Sequence, residues 1–324
     1  MHELLQVRDL TVAYYLNRGR GITALKDLSF EIAPGEAVGL LGESGCGKTT
    51  LALSLLRLLP PTGRTLRGSV VFRGRNLLEL KESELQKVRG AEISMVYQEP
   101  GSALNPVIRV GDQVAEVLRA HQEMSQRCAR KEAGSLLAQV GLSEESRISD
   151  AYPHQLSGGQ RQRVVIAQAI ACRPALIIAD EPSTALDSVT QSEILTLLKR
   201  LQTELQLALL FITHDPGLLA QLVDRVVVMY AGRLIEAGPA EQVLERPLHP
   251  YTQGLLRARP TLSGVSGKRF LNVIPGSPPD PASMPPGCPF EPRCWDRMDV
   301  CRTLEPAPLR PGQSGSAACF KYAN

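Results

Sequence analysis

No apolar run in the 324 residues approaches the roughly 18 that a membrane-crossing helix needs. The opening MHELLQVRDL carries charges where a secretory signal has its apolar core. The expectation is a chain made and kept in the cytoplasm, free all the same to dock on a membrane protein. A long basic block is missing too. The net charge of +3 is spread widely, so it argues neither for nor against nucleic acid. The tight Cys-x-x-Cys pairs of common zinc ribbons are absent, and no motif described below recurs along the chain.

What is present is ordinary globular material, 43% hydrophobic and 21% charged, in a length that suits two or three modules. Its distribution is uneven. Cys46, Cys128 and Cys172 are scattered, whereas Cys288, Cys294, Cys301 and Cys319 crowd into the last 37 residues, and 12 of the 24 prolines follow residue 259. A boundary near residue 255 is therefore expected, with α/β structure before it and an irregular, turn-rich appendage after it.

Before that boundary, LLQVRDLTVAYY and ALKDLSFEI alternate like strands. A PG turn leads to the apolar strand AVGLL, and TTLALSLLRLL carries helical periodicity until Pro60 and Pro61 stop it. A strand pair is expected over 66–80 and a helical tract over about 107–150. QRQRVVIAQAIA then reads as helix, ALIIADEP as a buried strand, SEILTLLKRLQTEL as helix and LALLFITHD as strand, with DRVVVMYAGRLIEAG as an edge hairpin. The fold class expected is α/β, interrupted by a helical insertion.

GESGCGKT, residues 42–49, fits the pattern of a phosphate loop, set between a strand and a helix. Its backbone N–H groups can cradle phosphate oxygens, Lys48 can reach the β- and γ-phosphates, and the Thr49 hydroxyl can ligate Mg2+. The loop alone does not separate ATP from GTP. In LIIADEP, Asp180 can hold magnesium through water and Glu181 can polarise the attacking water, although adjacent carboxylates at a strand end can also be a solvated loop. His214 and Gln98 say little by themselves, since a lone histidine is more often structural. In LSGGQRQR, Ser157, Gly158 and Gly159 present a hydroxyl and N–H groups together at a polar helix start, an arrangement that holds phosphate.

Taken in order, the phosphate loop, the glutamine of MVYQEP, LSGGQRQR, LIIADEP, STALD and ITHD resemble the ATPase subunits of ABC transporters over roughly residues 5–250. That resemblance implies a P-loop NTPase core of the ABC type, with an antiparallel β subdomain, and a dimer in which LSGGQ closes over nucleotide on the partner's phosphate loop. It implies that Tyr14, or less readily Tyr15, stacks on adenine. Gly42, Glu43, Ser44, Gly45, Cys46, Gly47, Lys48, Thr49 and Thr50 wrap the phosphates of ATP. Gln98 contacts magnesium and water, and Ser157, Gly158, Gly159 and Gln160 form the stretch that meets the opposing γ-phosphate. Asp180 positions the metal, Glu181 is the general base, Asp187 communicates across the dimer and His214 is the switch histidine. None of these positions departs from an active pattern, so the chain is expected to hydrolyse ATP when correctly paired.

QEPGSALNPVIRVGDQVAEVL and RFLNVIPGSPPDPASMPPGCPFEPRC are similar to the insertion and carboxyl-terminal extension of the subfamily that imports dipeptides, oligopeptides and, in some members, nickel. The division implied is an ATPase domain over 1–255, with its helical insertion at about 99–155, and an extension over 256–324. Implied partners are a homologous second ATPase, or a second copy, two membrane permeases and, through them, an external solute-binding protein. No nucleic acid is expected, and the chain should sit peripherally on the cytoplasmic face. A soluble ABC ATPase of translation or DNA repair is the reading of another class; such proteins usually carry two cassettes or a long coiled-coil insertion.

The spacings of 5, 6 and 17 residues between Cys288, Cys294, Cys301 and Cys319 let turns gather four thiolates. Such a set suits zinc or an iron–sulfur centre. The same subfamily resemblance implies a 4Fe-4S cluster, with Zn2+ or unmetallated cysteines as the alternatives and a structural staple as the simplest role. Cys46, Cys128 and Cys172 are assigned no catalysis.

Overall fold

The computed structural model describes residues 3–15, 21–142, 145–184, 186–258, 273–308 and 315–322. In chain order its elements are β1 (Leu5–Tyr15), β2 (Gly21–Ile32), β3 (Ala37–Leu41), α1 (Lys48–Leu55), β4 (Gly63–Phe72), β5 (Arg75–Asn76), α2 (Glu82–Val88), β6 (Ile93–Val96) and α3 (Pro100–Ala103). There follow α4 (Val110–His121), α5 (Gln126–Gln139), α6 (Glu145–Ser149), α7 (Gly158–Ile170), β7 (Leu176–Asp180), α8 (Ser188–Leu205) and β8 (Ala208–Thr213). The last are β9 (Arg225–Tyr230), β10 (Arg233–Pro239), α9 (Ala240–Glu245), α10 (Pro250–Arg257), α11 (Val300–Thr303) and β11 (Ser316–Ala317). The chain falls into two compact units, one of Met1–Ala33, Val38–Glu79 and Ile212–Asn324, the other of Pro34–Ala37 and Leu80–Phe211. The segment beyond residue 255 belongs with the first.

In the first unit, β2-β1-β4-β5 form an antiparallel sheet. The alternation that marks β1 as a strand buries Leu5, Val7, Leu10 and Val12, and it changes phase at Asp9, whose φ of 47° marks the register shift between Val7 and Leu10. A further run, β11-β10-β9-β3, carries the phosphate loop. All five residues of β3 are buried, as a continuous apolar run requires of a strand in parallel pairing, and Val38 to Leu41 pair with Arg225 to Val228. The β9–β10 hairpin is correctly read from sequence, but it is not an edge. Glu236 and Ala237 of β10 pair with Ala317 and Ser316 of β11, so the tail supplies the outer strand.

In the second unit, β6 and β7 pair in parallel with β8 beside β7, and the helices α2 to α8 belong to the same unit. Val110, Val114 and Leu118 line one buried face of α4, and Ala129, Ala133, Leu136 and Leu137 one face of α5, the spacing that makes the expected helical insertion a packed layer. Buried Gln113 secures the ALNP segment: its Oε1 accepts from Asn105 N at 2.9 Å, and its Nε2 donates to the carbonyls of Asn105 and Ile108 at 2.9 and 2.8 Å. Among the described residues, no helix is long and apolar enough to cross a membrane. Of the tail segment quoted above, residues 269–272 lie outside the described residues.

Candidate functional site

The phosphate loop leaves the end of β3 and turns into α1. Gly47 stands at the helix start with φ 109°, and a Cβ there would lie 2.8 Å from the side chains of Leu25 and Met229, so only glycine fits. Buried Lys48 bends back across the loop, and its Nζ donates to the carbonyls of Gly42 at 2.8 Å and Glu43 at 3.1 Å. Thr49 is exposed at the first turn of α1. Tyr14 reaches the same turn, its hydroxyl 3.1 Å from Thr50 Oγ1; Tyr15 is the more exposed tyrosine. Burial raises the Cys46 thiol to about 11, which makes it a small packed group and not a ready nucleophile. The loop borders a cavity of about 320 Å³, whose opposite wall includes Pro278, Pro279, Asp280, Pro281 and Met284 of the tail.

Glu43 is held from far along the chain. Its N–H donates to the hydroxyl of Tyr251 at 2.8 Å, and its carboxylate accepts from both Nη1 and Nη2 of buried Arg293, at 2.8 and 3.1 Å. Tyr251, Tyr230 and Phe290 pack as an aromatic cluster with centroids 4.6 to 5.5 Å apart. Burial alone would lower the Arg293 pKa, but the bonds to Glu43 and Tyr230 outweigh it and hold the guanidinium charged. No sequence signal marked Arg293, Tyr230 or Tyr251, because each lies about 190 or more residues from the loop. His214, also in this unit, stands exposed just after β8, beside Asp215, which caps a short turn by accepting from Gly217 N at 2.7 Å.

The second unit carries the remaining candidates. Ser157 is the N-cap of α7: its hydroxyl accepts from Gln160 N at 3.2 Å, while Gln160 Oε1 accepts from Ser157 N at 3.0 Å. This reciprocal pair is a capping box, so the serine and glutamine of LSGGQ first of all start a helix. A Cβ on Gly159 would come within 2.5 Å of Thr190 Cγ2, which is why a second glycine follows. Thr190 leads on to Asp187, the N-cap of α8, which accepts from Thr190 N at 3.0 Å and from its hydroxyl at 2.7 Å. These bonds hold the exposed Asp187 carboxyl below its ordinary range. Contacts at the starts of α7 and α8 thus link Ser157, Gly159 and Gln160 with Asp187 through Thr190.

Asp180 ends β7 almost fully buried. Glu181 follows at φ 46°, a left-handed backbone uncommon for a non-glycine residue, and its carboxylate accepts from Thr184 Oγ1 at 3.0 Å. Gln98 is exposed just past β6.

The four tail thiols tell a mixed story. Burial raises Cys288 and Cys294 to about 11 and also raises Cys319. Neighbouring thiols add to this: Cys301 and Cys319 on Cys288, Cys288 and Cys319 on Cys294, Cys301 on Cys319. The four sulfurs therefore share one neighbourhood, and Cys288 N donates to Cys301 O at 2.8 Å. Yet among the described residues no three His, Cys, Asp or Glu side chains close into a group that could hold a metal ion. The expectation of a formed metal centre is not met by the positions of the side chains.

Comparison with known proteins matches residues 25–184 to the ABC transporter family and residues 235–301 to the oligopeptide/dipeptide transporter C-terminal region. The chain is 43% identical to the dipeptide transport ATP-binding protein DppD of Bacillus subtilis, over 99% of this chain and 95% of that one. It is 46% identical to the oligopeptide transport ATP-binding protein OppD of Escherichia coli, over 98% and 93%. Among solved structures it is similar to the dimeric post-hydrolysis state of the ATP-binding cassette MJ0796 bound to ADP and Pi, with TM-score 0.65 and 32% identity over 73% of this chain and 98% of that one. It is similar also to cbiO1 from Clostridium perfringens, part of the transporter complex cbiONQ, with TM-score 0.65 and 29% identity over 76% and 93%.

Proposed function

The chain belongs to the ATP-binding proteins of the ABC transporter family and has their cassette fold, and from that premise we propose that it hydrolyses ATP to energise import of dipeptides or oligopeptides. The observation that carries this reading is near-full-length similarity to peptide transport ATP-binding proteins, extending through the tail, in a chain whose phosphate loop and glutamate are intact. Residues 1–255 are assigned the ATPase work, with the helical insertion at about 99–155, and 256–324 are assigned as the extension. The chain works as a peripheral subunit at the cytoplasmic face, paired with a second ATPase and two membrane permeases that take peptide from an external binding protein.

In the proposed reaction, the loop amides from Ser44 to Thr50 and the Lys48 ammonium hold the phosphates, while the Glu43 amide, expected to join them, is taken by the Tyr251 hydroxyl; Tyr14 holds the base. Lys48 exchanges its carbonyl partners for phosphate oxygens, a stronger charge-assisted contact. Hydroxyl and carboxylate oxygens are the donors that Mg2+ takes, so Thr49 and Asp180, with Gln98, are its assigned holders. When bound, Mg2+ neutralises charge on the phosphoryl oxygens. Glu181 accepts the proton of the attacking water, with His214 orienting it, while Ser157, Gly158 and Gly159 face the γ-phosphate of the partner subunit, placed by the start of α7. Asp187, at the start of α8, is assigned the contact across the dimer.

The four tail thiols are assigned as the ligands of a metal centre, 4Fe-4S before zinc. Their shared neighbourhood supports this and their side-chain positions do not, so no step of the reaction is routed through it. Anaerobic purification with iron, sulfide and zinc analysis tests the assignment, and protein free of all three overturns it.

The functional test is reconstitution with the permeases and partner ATPase. Peptide-stimulated hydrolysis and uptake are expected, with Glu181→Gln lowering hydrolysis about a hundredfold or more while ATP still binds. Hydrolysis indifferent to peptide would leave the ATPase standing and remove peptide import.

A further inference from the structure

Nothing in phosphate binding calls for a carboxylate at the second position of GESGCGKT. A negative charge beside a bound polyphosphate is repulsive, and at close range in a partly buried site the cost is considerable. Here the Glu43 carboxylate is engaged and its charge offset by the two-pronged bond from Arg293, a residue 250 positions later in the proline-rich tail. Arg293 is itself locked: Nε donates to Pro275 O at 3.0 Å, Nη1 also donates to the Tyr230 hydroxyl at 3.3 Å, and the guanidinium lies 5.8 Å from the Tyr230 ring centroid. Glu43 in turn is fixed at three points, its carboxylate by Arg293, its N–H by Tyr251 and its carbonyl by Lys48.

We propose that Arg293 is a positioning residue for nucleotide binding, acting through Glu43 to hold the phosphate loop in its binding shape and to cancel the carboxylate charge that would otherwise oppose phosphate. The inference rests on the reading of this loop as an ATP site. It makes the tail part of the nucleotide site and not only an appendage. The planar fork of arginine matters here because lysine can supply the charge but not both bonds.

The test is equilibrium binding of Mg-ATP to the full chain, with kcat and KM measured in the reconstituted transporter. Arg293→Met is expected to weaken Mg-ATP binding about tenfold or more and to raise KM, with kcat at saturation changed less than about threefold. Arg293→Lys, which keeps the charge and is the milder change, should fall between it and wild type. Removing the offending carboxylate in Arg293→Met/Glu43→Gln should recover part of the lost affinity. A purely structural arginine would lower the unfolding temperature without that recovery. Binding within about twofold of wild type in both single Arg293 variants, or a double variant no tighter than Arg293→Met, overturns the inference. Wild-type protein that binds no Mg-ATP overturns the ATP-site reading itself.

Discussion

The phosphate loop and the serine–glycine turn are both glycine-bearing entries to helices, and they are held in opposite ways. Around the turn the holds are near ones, none from beyond the next helix: Ser157 and Gln160 cap each other, and Gly159 gives room to Thr190, itself tied to Asp187. At the phosphate loop the local bonds of Lys48 are joined by holds from afar, through Tyr251 and Arg293 onto Glu43. A turn held by its neighbours works as a unit that can be presented to a partner subunit. A loop held from the far end of the chain can be tuned by whatever befalls that end. The two should therefore respond differently to acid, to crowding and to loss of a cap.

Acid should give the largest difference. His249 is the N-cap of α10, its Nδ1 accepting from Tyr251 N at 3.0 Å, and burial lowers its pKa from 6.5 to about 3. The folded protein therefore resists protonation that the unfolded chain accepts. The stability this group contributes is complete above pH 6.5 and is lost as pH falls toward 3, in total on the order of 5 kcal/mol. Glu236 faces the same corner, its carboxylate accepting from Leu248 N and His249 N, and burial raises its pKa. Its contribution runs the other way just above pH 4.5 and blunts the slope there. In His249→Gln the denaturant midpoint should vary less between pH 6.5 and 4 than in wild type. An unchanged slope would detach the loop's distal support from this histidine.

Crowding the local side comes next. Gly159→Ala should destabilise by about 1–3 kcal/mol, because the new methyl meets Thr190 Cγ2 at 2.5 Å. Thr190→Ser removes that methyl and keeps the hydroxyl bond to Asp187, so the double variant should regain most of the loss. Urea unfolding of the four proteins measures it, and additive effects would contradict the close approach. On the distal side, Tyr251→Phe leaves the Glu43 amide without its hydroxyl acceptor and should cost about 1–2 kcal/mol. It should also weaken Mg-ATP binding, which the Gly159 change should leave alone in the isolated chain.

The same contrast explains what the sequence could tell. Lys48, Thr49, Asp180 and Glu181 stand in short patterns whose chemistry is local, and the strands and helices around them follow from periodicities of two and 3.6. LSGGQ was legible as a helix start for the same reason. Arg293, Tyr230 and Tyr251 were not, since contacts closing about 190 to 250 residues leave no mark in either segment. The hairpin DRVVVMYAGRLIEAG looked like an edge because its true neighbour is Ser316–Ala317, two residues too short to register as a strand. The four cysteines were conspicuous by spacing, but spacing does not fix where side chains point, and theirs do not close around an ion.

The smallest change separates the two duties assigned to Ser157. Ser157→Ala removes the cap and should cost about 1 kcal/mol of stability, since Gln160 N loses its acceptor. That alone says nothing about phosphate. Aspartate, however, caps as well as serine, so Ser157→Asp should keep the stability that alanine loses. Its negative charge would then face the γ-phosphate of the partner subunit, and hydrolysis in the reconstituted dimer should fall well below that of the alanine variant. If stability and hydrolysis instead rise and fall together across the three proteins, the serine is a helix cap and nothing more. If they part, with Ser157→Asp stable and inactive, the cap is the means by which a local structure carries a hydroxyl to a distant nucleotide.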